Sequence, residues 1–145
     1  PVEEPTQITA LIEFSSGASA VSIFSFEAAH EVTGFVEITG SNGAITLPDP
    51  NNFDGENVIY QPDQEPEKLA ATGNKHGRGL GALNMMQSFL AGKSHIASAE
   101  LGNHVLDILI SISESAQQKQ SVAVVSTLDT SATLDTNWDP LRRSS

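Results

Sequence analysis

Residues 34 to 47, GFVEITGSNGAITL, decide how the rest of this chain is read. GFVEIT (34–39) and AITL (44–47) are rich in aromatic and β-branched residues, which fit a pleated and half-buried surface. Between them, Gly40-Ser41-Asn42-Gly43 is a turn signal, and Asn42-Gly43 suits the positive φ of a tight connection. The segment therefore predicts a two-stranded antiparallel hairpin.

Working outward toward the N-terminus, QITALIEF (7–14) places Ile8, Ala10, Ile12 and Phe14 on one side of an extended segment, with Thr9, Leu11 and Glu13 on the other. Ser15-Ser16-Gly17 interrupts the alternation. ASAVSIFSF (18–26) resumes it, with Val21 and Ile23 opposite Phe24 and Phe26, and predicts a second hairpin. Toward the C-terminus, Pro48-Asp49-Pro50-Asn51-Asn52 stops strand pairing because proline has no ladder donor, and NVIYQ (57–61) supplies another short strand. Residues 62–78 are polar and read as loop. From Leu80 the period changes to that of a helix through Leu83, Met86 and Leu90, with Gly92 placed to end it. Ser98 can cap a second helix with Glu100 in its first turn and a stripe of Leu101, Val105, Ile108, Ile112 and Ala116. SVAVVS (121–126) predicts a last strand, and TLDT then recurs at 127 and 133 in a polar tail that runs to Trp138, Arg142 and Arg143.

Strands come first and helices later, so the class is α+β: a mostly antiparallel open sheet with helices gathered on one face. At 145 residues and 39% hydrophobic, one core is the default, with residues 1–126 as the domain and 127–145 as a peripheral tail. A net charge of −11 leaves no basic stripe for phosphates, which argues against nucleic acid and anionic membranes as partners. The absence of cysteine excludes disulfides and thiolate chemistry and makes a cytoplasmic home the simplest expectation. No apolar run approaches a membrane span, and no signal-peptide pattern opens the chain. Its start at Pro1-Val2, without an initiator methionine, reads as a processed or excised piece.

Few side chains present themselves for chemistry. Gly77-Arg78-Gly79-Leu80-Gly81-Ala82 matches the letters of a dinucleotide fingerprint, and a helix follows, but the preceding residues (71–76, ATGNKH) are not an apolar strand. A flexible loop entering a helix is the plainer reading. His30, His76, His95 and His104 show no metal-ligand spacing. His104 lies one turn after Glu100 and could be a base oriented by that carboxylate; a surface ion pair or a packed histidine is the alternative. Lys75, His76 and Arg78 form a basic cluster in a glycine-rich loop, fit either to meet a polar ligand or to stay solvated. There is no nucleophile elbow and no acid pair with glycosidase spacing, so no catalytic residue is assigned. Phe14, Phe24, Phe26 and Phe35 read as core, or as a face buried against another chain.

Three ordered blocks resemble the C-terminal domain of the glucose-fructose oxidoreductase, inositol dehydrogenase and rhizopine-catabolism family (Gfo/Idh/MocA). They are ALIEFSSGASAVSIFSFE (10–27), VEITGSNGAITLPDPNNFDG (36–55) and HGRGLGALNMMQSFLAGKSHIASAELGNHVLDILISISESA (76–116). The second is similar to the family's "iEIyGteGsl.vPDPn.F.G", and the third to its "RGlGvaDMa.Ai..GrphRas.elA.HvLdvm.ai..Sa". The sequence departs from the pattern at Asn84, where aspartate is usual, at Ile96, where arginine is frequent, and at Gly102-Asn103, which replace a small apolar pair.

The resemblance implies an N-terminal Rossmann domain, absent from this sequence, that binds NAD or NADP, and a sheet whose open face is a subunit interface. That would account for apolar residues on both sides of the strands. It implies hydride transfer to or from a sugar or polyol such as an inositol, with the cofactor loop, the "EKP" lysine and the acid/histidine pair all outside this chain. On this reading the chain is a substrate-side and oligomerisation domain, without catalytic, cofactor-binding or metal residues of its own and inactive alone. His76, Arg78 and His95 are its candidate substrate contacts, and a homodimer or homotetramer is expected. The alternative is a free-standing carbohydrate-binding or oligomerisation module without enzyme activity.

Overall fold

A computed structural model describes residues 5–27, 29, 36–70, 72–73, 77–129 and 133–140. The chain divides into two compact units, Pro1–Thr33 and Gly34–Ser145. The class is α+β, and every strand pair in it is antiparallel.

The first unit is a hairpin of β1 (Gln7–Glu13) and β2 (Ser19–Ser25), with Leu11 paired to Val21 and Ile8 to Phe24. The Phe14 and Gly17 amides close the turn onto Ala18 and Phe14, and Gly17 takes a φ of 87° there. Side chains alternate between the two faces. Ile8, Ala10, Ile12 and Ala20 are half-buried on one face, while Leu11, Val21 and Ile23 stand 68%, 69% and 68% exposed on the other. Two strands are marginal alone in water. Fully covering each of the three would add up to about 1.5–3 kcal/mol.

The second unit carries a four-stranded sheet in sequential order, β3 (Val36–Gly40), β4 (Gly43–Leu47), β5 (Asn57–Tyr60) and β6 (Glu67–Leu69). The expected hairpin is present, with Gly40 paired to Gly43 and Ile38 to Ile45. Its turn differs in detail from expectation. Ser41 and Asn42 keep negative φ, and the glycine-specific conformation falls on Gly43, at φ 147°. A Cβ at Gly43 would stand 2.2 Å from the Tyr60 carbonyl oxygen on β5, so closeness of the next strand also requires glycine. β6 falls in the 62–78 stretch read as loop. Its three residues, Glu67-Lys68-Leu69, are too short and charged to show a strand period, and Lys68 pairs with Glu56 at 2.6 Å across the β5–β6 edge. That pairing raises the Lys68 pKa, through the hydrogen bond to Glu56 first and its charge second.

Two helices follow. In α1 (Leu80–Leu90), Gly79 at φ 89° sits at the N-cap, and Gly92 at φ 62° stands just past the C-cap Ala91, as its position predicted. α2 (Ala99–Gln118) begins where Ser98 accepts a hydrogen bond from the Leu101 amide, the expected cap. Its inner stripe includes Leu101, His104, Ile108, Ser111 and Ile112, whereas Val105, Leu106, Leu109 and Ile110 remain about half exposed. Trp138 from the tail donates its indole N–H to Gln87 of α1. No hydrophobic side chain among the described residues is buried. Residues 121–126, expected as a last strand, form none. His30, Gly34, Phe35, Lys75, His76, Arg142 and Arg143, which the sequence singled out, lie outside the described residues.

Gly43→Ala should place a methyl group against the Tyr60 carbonyl and force a strained φ, lowering stability by about 1–3 kcal/mol in urea titration. An unchanged denaturation midpoint would show that β4 and β5 do not approach as described.

Candidate functional site

The loop after β4 is organised by Asp49. Its side chain accepts hydrogen bonds from the Asn51 amide at 2.9 Å and the Asn52 side-chain amide at 3.3 Å, while its carbonyl accepts from the Asn52 amide. Gly55 then takes a φ of 124° where a Cβ would collide with Pro48, which folds the loop back against its own proline. This Asx turn presents Asn51 and Phe53 to the glycine-rich segment that leads into α1. Arg78 donates to Asn51 Oδ1 at 3.2 Å, and its guanidinium carbon lies 5.8 Å from the Phe53 ring centroid, within cation–π range. Phe53 and Arg78 are both exposed, so an aromatic face and a fork of donors are open to solvent together.

His95 precedes α2 and is half-buried. Its Nδ1 is shielded from solvent and has no hydrogen-bond partner among the described residues, so a solute could reach this imidazole only through Nε2. The neighbouring loop is tied to α1 by the Ile96 amide, which donates to Asn84 Oδ1 at 3.1 Å. No hydrogen bond among the described residues joins His95 to Arg78, and His76 lies outside them.

The proposed pairing of His104 with Glu100 is not the one formed. Glu100 serves the start of α2: its own amide and the Ser98 hydroxyl stabilise the carboxylate, with the charge of His95 a smaller contribution, and its pKa is lowered. His104 instead meets Ser126 Oγ at 2.8 Å through Nδ1. One turn further on, Asp107 Oδ2 accepts from the Val125 amide at 3.1 Å and the Ser126 amide at 2.7 Å. This explains why SVAVVS is not a strand. Its amides reach a helix carboxylate where a strand would seek backbone carbonyls, and β-branched residues suit either extended partner.

Serine, histidine and aspartate thus converge, but not as a hydrolytic triad. In a triad the carboxylate orients the histidine nitrogen remote from the serine. Here the carboxylate grips the serine itself, so the cluster is a clasp that holds residues 125–126 against α2. Among the described residues before the glycines at Gly77, Gly79 and Gly81, β6 ends at Leu69 and residues 72–73 and 77–79 are non-strand, while Glu100 lies in the first turn of α2. No group of three or more His, Cys, Asp or Glu side chains with metal-holding geometry occurs among the described residues, and no helix among them is long and apolar enough to cross a membrane.

Comparison with protein-family models, with curated proteins and with solved structures finds no match to this chain.

Hydrogen bonds from the Ser126 amide and hydroxyl, then from the Val125 amide, hold the Asp107 pKa below its ordinary value, with the charge of His104 adding to them. A lowered folded-state pKa means that the clasp contributes stability above the unfolded value and loses it as pH falls through the lower folded value. The protection of the Val125 and Ser126 amides, taken relative to their intrinsic exchange rates, should therefore be high at neutral pH and fall in acid below the usual aspartate range. Asp107→Asn should remove that acid dependence and raise neutral exchange. Unaltered protection in the variant would dismiss the clasp.

Proposed function

We propose that this chain is the substrate-side and oligomerisation domain of an NAD(P)-dependent dehydrogenase of the Gfo/Idh/MocA type acting on a sugar or polyol. The observation that carries the reading is the contact of Arg78 with Asn51 and Phe53. These residues belong to two of the three blocks on which the resemblance rests, and they meet at an exposed polar and aromatic surface. A guanidinium fork and a ring face together suit a polyhydroxylated ligand, since hydroxyl groups can accept from the fork while C–H faces pack on the ring.

Hydride transfer between the cofactor nicotinamide and a carbinol carbon is the chemistry expected of the complete enzyme in the cytoplasm. On this reading the cofactor and the proton-transfer groups belong to the nucleotide-binding part, and this chain's part is to bind and orient the substrate. Arg78 would hold a substrate hydroxyl, His95 could do so through Nε2, and His76 shares the same glycine-rich segment. Apolar residues on both faces of the β1–β2 hairpin, and the uncovered side of α2, support assembly into a homodimer or homotetramer. The same exposed Phe53–Arg78 pair favours a second reading, a carbohydrate-binding module without enzyme activity.

Titration of the isolated chain with NADH or NADPH should show no saturable binding; tight, stoichiometric binding would sink the proposal. In the complete enzyme, Arg78→Ala should raise KM more than it lowers kcat, because a positioning contact made in both ground and transition states is lost. Unchanged KM and kcat would remove Arg78 from the site. Sugar binding by the isolated chain, with no dehydrogenase activity in the complete protein, would favour the module instead.

A further inference from the structure

We infer that Asn42 is a site of spontaneous covalent modification, a turn asparagine that converts to isoaspartate in the folded protein. It is the only asparagine in the sequence followed by glycine. Ser41 and Asn42 form the exposed connection between β3 and β4, and the Asn42 side-chain amide has no hydrogen-bond partner among the described residues. Its carboxamide carbon is therefore free to rotate toward the main chain.

The reaction needs no cofactor. The Gly43 backbone nitrogen attacks the Asn42 Cγ, and a C–N bond forms as the side-chain nitrogen leaves as ammonia with the proton given up by the Gly43 amide. The five-membered succinimide then takes up water. Opening at one carbonyl gives aspartate, and opening at the other gives isoaspartate, in which the main chain runs through the former side chain. No oxidant or reductant enters. Glycine matters because the attacking nitrogen then carries no branched neighbour to obstruct ring closure. Gly43 is in a conformation that other residues rarely adopt, so this partner cannot easily be exchanged for a bulkier one without disturbing β4 against Tyr60.

One restraint opposes the attack: Gly43 is paired with Gly40 across the hairpin. That pair is the last rung before an exposed turn, where local opening is easiest. Opening a rung worth one ordinary net hydrogen bond slows a reaction by about tenfold or less. None of the other asparagines precedes glycine. Asn57 lies within β5, Asn84 within α1 and Asn103 within α2; Asn51 and Asn52 are engaged in the Asp49 turn, Asn137 donates its amide to Asp135, and Asn74 lies outside the described residues. The isoaspartyl product would add a methylene to the main chain of a two-residue connection and a negative charge to an already acidic protein. It should therefore loosen the Gly40–Gly43 register.

The test is ageing of the intact chain in mildly alkaline buffer, followed by peptide mapping and enzymatic carboxyl methylation of isoaspartate, in native conditions and in urea. The expected result is ammonia release and isoaspartate concentrated at residue 42 under native conditions, ahead of Asn51 and Asn52. Asn42→Gln, which must close a larger ring, should abolish that signal while circular dichroism stays unchanged. Native conversion at Asn42 no faster than at Asn51, or conversion confined to urea, would overturn the inference.

Discussion

The constraint on which this structure depends is that each of its two units carries apolar side chains that the unit itself leaves exposed. In the first unit, Leu11, Val21 and Ile23 occupy one face of a two-stranded hairpin while Ile8, Ala10 and Ile12 occupy the other. In the second, α2 directs one stripe inward and leaves Val105, Leu106, Leu109 and Ile110 in contact with water. A surface helix ordinarily carries one apolar stripe. Both the hairpin and α2 therefore carry apolar residues on two sides.

With hydrophobic packing so limited, short polar interactions hold much of the local order. Asp49 shapes the loop that brings Asn51 and Phe53 to Arg78. Asp107 and His104 fix residues 125–126 to α2 with no strand for those residues to join. Ser98 begins α2, Asn84 holds the loop before it, and Gln87 receives the Trp138 indole. Because such bonds are exposed or half-exposed, each contributes modestly and answers to pH or local opening. The candidate ligand surface is built in this way: two turns, one guanidinium and one ring.

Much of the fold was legible because local pattern and local structure coincide. Alternation set β1 and β2, the glycine turn and the proline break set β3 to β5, and the change of period at Leu80 together with Ser98 and Gly92 set both helices. The errors arose where partners are remote. SVAVVS has the composition of a strand, but strand identity depends on where its amides point, and only Asp107 in α2 decides that. Glu67-Lys68-Leu69 lacks any period a sequence could reveal. In the candidate site, Arg78 was visible as a cation in a glycine-rich loop, whereas Asn51 and Phe53 looked like turn residues until the Asx turn placed them beside it. His104 reads either as a base beside Glu100 or as a surface or packed histidine, and its bond to Ser126, distant in sequence, leaves no local signal.

The uncovered apolar surface can be measured directly by titrating anilinonaphthalene sulfonate into the native chain over a range of protein concentrations. The account predicts strong dye fluorescence at high dilution that declines per chain as concentration rises and copies cover one another's faces. Absence of dye enhancement at every concentration, with cooperative unfolding intact, would show that the chain buries its own apolar faces and would contradict the account.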